Sequence, residues 1–115
     1  MSRIEQGRIV WAMMRDPQGR NQKLRPGVII SDDDEIARTN RIFVIAITGT
    51  FSDPLDEWEV RLPWNRSGTT ATRLKKPVVA VCNWLIELKA EDVESFAGIV
   101  PPTILEEILK RVTKD

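Results

Sequence analysis

The residues best suited to chemistry are an arginine and a pair of hydroxyls, each at the end of an apolar run. Arg25 stands in Lys23-Leu24-Arg25-Pro26-Gly27-Val28-Ile29-Ile30-Ser31, and the hydroxyls close Ile47-Thr48-Gly49-Thr50. The run after Pro26 is short and apolar, so it predicts a buried strand with Arg25 at its mouth. A guanidinium fixed there offers five donors in a plane and stays charged, which suits a phosphate or a carboxylate. A hydroxyl at the end of a neighbouring strand can touch the same anion. Taken alone, Arg25 also fits a simple ion pair with a loop carboxylate, and Thr48 fits a β-branched strand position.

Other chemistry is excluded or weakly signalled. The chain has no histidine, which removes histidine-based triads, histidine-assisted ribonuclease chemistry and the usual zinc ligand sets. The single Cys82 lies in the middle of an apolar run and reads as a buried structural thiol. It has no internal disulfide partner, which fits a reducing compartment and a cytoplasmic location. No glycine-rich phosphate loop follows a strand, and Asp32-Asp33-Asp34-Glu35 lacks the spacing and glycine of a calcium loop. No cofactor or metal is expected.

The elements that must position Arg25 and Thr48 follow from hydrophobic period. Gly7 to Met14 predicts a first strand, with Ile9, Trp11 and Met13 in alternation. Pro26 to Ser31 predicts a second, with proline at its first position. Asp32 to Asn40 reads as a surface connection, and Arg41 to Thr48 as a strand buried on both faces. After a turn at Ser52 to Asp56, Glu57 to Leu62 alternates, which places Trp58, Val60 and Leu62 inward. A polar loop runs from Pro63 to Lys76, and a long strand from Pro77 to Ile86. Glu91 to Phe96 reads as a short helix stopped by Gly98. Ile104, Leu105, Ile108, Leu109 and Val112 fall on one face of a closing helix, which begins either at Pro102 or with Thr103 and Glu106 as a capping box. Short strands without βαβ alternation, followed by one helix, predict a small barrel, mainly β with α, spanning residues 1–115 as one domain.

With 42% hydrophobic and 30% charged residues the 115-residue chain has the composition of a soluble globule, and no apolar run approaches membrane-spanning length. Met1 to Gln6 has no apolar core of an export signal. Seventeen basic and seventeen acidic residues cancel, yet they are unevenly spread. Residues 1–31 hold 6 basic and 2 acidic groups and residues 60–90 hold 6 and 1, whereas residues 32–59 hold 2 and 8. Should the two basic blocks meet in space, the domain has a positive face that its average conceals; otherwise these are ordinary solvated charges.

Four segments in order resemble the PemK/MazF family of type II toxin–antitoxin toxins. They are Gly7-Arg8-Ile9-Val10-Trp11, Lys23 to Ser31, Ile47 to Thr50, and Leu74-Lys75-Lys76-Pro77-Val78-Val79-Ala80-Val81-Cys82-Asn83-Trp84. The resemblance implies an SH3-like β-barrel of the CcdB/PemK/MazF type with a C-terminal helix, working as a homodimer. It implies a metal-independent endoribonuclease that cuts single-stranded RNA, an mRNA interferase, neutralised by a cognate antitoxin. By position, Arg25 corresponds to the family's catalytic arginine and Thr48 to its catalytic hydroxyl. Many members have serine directly after that threonine; here the residue is Gly49, with Thr50 one place further. Substrate contacts are expected from Lys23, Thr50, Arg73, Lys76 and Trp64. Trp64 is the tryptophan expected to be exposed, either to stack a nucleobase or to cap an apolar patch. The alternative is a non-catalytic barrel of the same fold that binds a protein such as gyrase or an antitoxin-like tail.

Overall fold

A computed structural model describes residues 4–112, so the Met1-Ser2-Arg3 part of the amino-terminal expectation lies outside the described residues. The strands are β1 (Arg8–Met14), β2 (Lys23–Ile29), β3 (Arg41–Thr48), β4 (Glu59–Arg61), β5 (Val79–Lys89) and β6 (Ser95–Ile99), with helices α1 (Asp33–Thr39) and α2 (Pro102–Val112). All pairings are antiparallel, and the sheet order is β4-β5-β3-β2-β1-β6. The sheet curls into a half-barrel. Its far edge is met by the loop after β4, because Gly98 and Ile99 of β6 donate to the carbonyls of Thr72 and Ala71 at 3.0 and 2.9 Å. Gly98 permits that contact: a Cβ there would lie 1.9 Å from the Ala71 carbonyl oxygen.

Both faces of the central strands are covered, which is why their sequences are almost continuously apolar. One face carries Ile9, Val28, Ile45, Ile47, Leu62 and Ala80, closed by Ile104, Leu105, Ile108 and Val112 of α2. The other carries Val10, Ala12, Met14, Ile29, Ile42, Val44 and Leu88, flanked by Ile36 of α1. The expected alternation in β1 is corrected accordingly. Val10, Ala12 and Met14 are buried, Trp11 is half-buried, and Met13 is 42% exposed.

Several other expectations change. Pro26 is not the first residue of its strand: β2 starts at Lys23. Proline is tolerated because β2 pairs there only with β1; pairing with β3 starts at Gly27. The segment expected as a connection is α1. Asp32 caps it by accepting from the Glu35 N–H at 2.8 Å, and Asn40 ends it in the left-handed region at φ 56°. The alternating run near Trp58 shortens to three paired residues, and Trp58 is 38% exposed, not inward. β5 begins two residues later than Pro77 and continues past Ile86 to Lys89. The helix expected at Glu91 to Phe96 is instead a single 3₁₀ turn (Ala90–Asp92) followed by β6. At the last helix the choice resolves in favour of Pro102 as its first residue.

β5 is bent. Its partners on β3 jump from Leu85 opposite Ile45 to Ala80 opposite Ile47, so Val81 to Trp84 face little more than Ala46. A bulge of this kind re-aims side chains, here Trp84.

Candidate active site

The Arg25 guanidinium is anchored from three directions. Its Nε donates to the Met14 carbonyl at 3.2 Å and one terminal nitrogen to the Asn21 carbonyl at 3.1 Å. Its carbon lies 5.1 Å from the centre of the Trp84 ring, a cation–π distance. Trp84 is fixed in turn, because its Nε1 donates to the Arg15 carbonyl at 3.1 Å. Among the described residues Arg25 has no carboxylate in ion-pair range. Two of the five guanidinium N–H groups are therefore used on neutral carbonyls and three are left for an anion.

The loop between β1 and β2 is built to hold that geometry. The Asp16 carboxylate accepts from the Arg20 N–H at 2.8 Å, the Gln18 N–H at 3.1 Å and the Asn21 side-chain amide at 2.9 Å. The Arg20 N–H is the main reason its pKa lies below the usual carboxylate value. Asn21 itself sits at φ 54°, a conformation asparagine tolerates well. Its carbonyl is thereby aimed at Arg25.

Thr48 shares the face of Arg25. Along β2, Ile29 packs on the Val10 side of the sheet, so Gly27 and Arg25 point the same way; along β3, Val44, Ala46 and Thr48 do likewise. The last β2–β3 pair is Gly27 with Ala46, and the same register carried on brings Arg25 level with Thr48. Thr48 pairs with Val79 of β5, which pairs with Arg61 of β4. Arg25, Thr48, Val79 and Arg61 thus form a row across the sheet. The half-buried Thr48 hydroxyl accepts from the Thr50 N–H at 3.1 Å.

The other expected residues divide into two groups. Lys23 is on β2, on the Arg25 face, and is exposed. Thr50 is exposed beside Thr48, and Lys76 adjoins Pro77, whose carbonyl oxygen lies 3.8 Å from where a Gly49 Cβ would stand. Arg73 and Trp64 belong to the loop that also carries Lys76 and meets β6 through Ala71 and Thr72, and Trp64 is 39% exposed. It shares that exposure with Trp58, so it is not the one exposed tryptophan.

Sequence reasoning missed Trp84 as the ring beside Arg25, because its placement depends on the β5 bulge. Cys82 is buried, and burial pushes its thiol up to about 11, so it is neutral and poorly nucleophilic near pH 7. Among the described residues no group of three or more Cys, Asp or Glu side chains is placed to hold a metal ion. No helix there is long and apolar enough to cross a membrane. A groove of about 790 Å³ shares Met14 and Trp84 with the anchorage of Arg25, but Asp16, Glu87, Glu91, Asp92 and Glu94 line it against Arg15. That lining disfavours an anion. Arg25, with no carboxylate in ion-pair range among the described residues, is the more favourable place for an anion.

A family profile described as PemK-like, MazF-like toxin of type II toxin–antitoxin system matches residues 5–114. No curated protein matches the chain. Among solved structures, the chain is similar to an endoribonuclease in complex with its cognate antitoxin from a mycobacterial species, with TM-score 0.73, 14% identity, and 94% and 89% of the two chains covered. It is similar to a MazE–MazF complex from Deinococcus radiodurans, with TM-score 0.71, 17% identity, and 97% and 94% covered. Toxin MazF-mt6 of Mycobacterium tuberculosis aligns with TM-score 0.63, 17% identity, and 90% of each chain covered. At these identities the structural likeness establishes the fold, and the family match covers nearly the whole chain.

Proposed function

Because the chain belongs to the PemK-like, MazF-like toxins of type II toxin–antitoxin systems, we propose that it is a metal-independent endoribonuclease acting on single-stranded RNA in the cytoplasm. In this reading it works as a homodimer and is held inactive by a cognate antitoxin. The observation that carries it is the anchored, carboxylate-free Arg25 guanidinium on the same sheet face as the Thr48 hydroxyl.

In the reaction the ribose 2′-hydroxyl gives up its proton to solvent as its oxygen bonds to the adjacent phosphorus, the bond from phosphorus to the 5′-oxygen breaks, and that oxygen takes up a proton from solvent to leave as a 5′-hydroxyl fragment. The other fragment ends in a 2′,3′-cyclic phosphate. Negative charge grows on the non-bridging oxygens as the phosphorus becomes five-coordinate. Arg25 aims its remaining donors at that charge, and Thr48 adds a hydroxyl donor. Arg25 stays protonated throughout, so its role is electrostatic and not that of a base. Lys23, Thr50 and Lys76 hold the adjoining backbone; Arg73 and Trp64 hold a more distant stretch of the strand.

The test is incubation of purified protein with a long mixed-sequence RNA in EDTA. Discrete fragments with cyclic-phosphate and 5′-hydroxyl ends are expected, reduced about 100-fold or more in Arg25→Ala. RNA left intact by the wild-type protein, with growth arrest persisting on expression of Arg25→Ala, would sink this reading in favour of a protein target.

A further inference from the structure

Arg61 occupies the far end of the row that holds Arg25 and Thr48, and nothing in the proposed reaction uses it. Its guanidinium carbon lies 5.3 Å from the centre of the Phe51 ring, and a terminal nitrogen lies 3.9 Å from an Asp53 carboxylate oxygen. The ring lies beneath the guanidinium carbon, and the carboxylate is within ion-pair range. The side chain is nonetheless 56% exposed. Phe51 and Asp53 both lie on the connection that follows Thr48, so this assembly is tied to the strand end carrying the catalytic hydroxyl. Two strand spacings separate Arg61 from Thr48, about 10 Å, which a single nucleotide bridges.

A guanidinium held over an aromatic ring offers a planar, π-compatible group and a positive charge. RNA-binding proteins stack unpaired bases on such planes. A solvated lysine would supply the charge without the plane. We propose that Arg61, backed by Phe51 and braced by Asp53, is a nucleobase-stacking subsite for a nucleotide flanking the scissile phosphate. The proposal rests on the ribonuclease reading and adds a substrate-contacting residue to it.

Cleavage of a long RNA first maps the preferred site. Short single-stranded oligonucleotides carrying that site are then made with a 2′-O-methyl group at the cut, which blocks the reaction. One keeps every base; the others have an abasic sugar at one flanking position. Affinity is measured for wild type, Arg61→Lys and Phe51→Leu, with thermal unfolding to show that the exposed-site variants fold. At one flanking position the abasic sugar is expected to weaken wild-type binding roughly 5- to 150-fold. Arg61→Lys weakens the intact oligonucleotide comparably and then shows no further loss with the abasic one; Phe51→Leu shifts both in the same direction. Equal abasic losses in wild type and Arg61→Lys overturn the subsite, as does Arg61→Lys binding intact RNA like wild type, and either leaves the nuclease reading standing. Wild-type protein that cuts no RNA overturns both.

Discussion

The role proposed for Arg25 depends on the neutrality of its partners. Two backbone carbonyls and an indole face fix the guanidinium without cancelling its charge. An acidic partner would have spent that charge before substrate arrived. Arg25→Lys keeps the charge and loses both the planar fork and the stacking on Trp84. The expected result is a fall in the single-turnover cleavage rate of about 100-fold, with unfolding free energy lowered by only about 1–2 kcal/mol. Comparison of single-turnover rates with chemical denaturation separates the two effects, and a rate near wild type would show that charge alone suffices. The position of Arg25 was legible in the sequence because Pro26 and Gly27 punctuate the chain just where its apolar run begins, inside the strand that starts at Lys23. Its partners were not. Met14 and Asn21 contribute carbonyls, which any residue carries, and Trp84 reaches Arg25 only because β5 bulges.

At the scale of elements, strong periodicity carried through and short segments did not. β3 was readable to the residue, since eight consecutive positions from Arg41 to Thr48 lie between polar punctuation. α1 was misread because seven residues give too little period to see and its acidic start looks like a solvated loop. Its sequence signal was the cap, Asp32 with Glu35 three residues on. β6 was misread for a different reason. Gly98 ends helices often, but here it serves the close approach of the Ala71–Thr72 backbone, a contact distant in sequence. Gly98→Ala places a methyl into the Ala71 carbonyl. The expected cost is about 2–3 kcal/mol from forced backbone displacement, read as a lower denaturant midpoint. Gly49→Ala is the control, since the nearest atom beyond its neighbours there is a carbonyl oxygen at 3.8 Å, and its midpoint should stay close to wild type.

For the whole molecule, zero net charge hides a division that folding creates. Lys23 and Arg25 come from the first basic block, Arg61 and Lys76 from the second, and the sheet order sets β2, β3, β5 and β4 side by side. Glu87, Glu91, Asp92 and Glu94, in the groove that Trp84 also lines, are not members of that row. A single-stranded RNA should therefore bind along the row with a salt dependence set by local cations and not by net charge. Each phosphate neutralised on a single strand contributes about −0.7 to the slope of log affinity against log salt, so Lys23, Arg25 and Lys76, the three cations assigned to phosphate, predict a slope of about −2. Lys76→Ala should flatten that slope by about 0.7, since it removes one phosphate contact and no stacking. Glu91→Gln, in the groove wall, should leave the slope unchanged while altering net charge by the same amount in the opposite sense. If both variants moved the slope equally, the protein would be acting on RNA through its average charge, and the row would have no standing as the path of the strand.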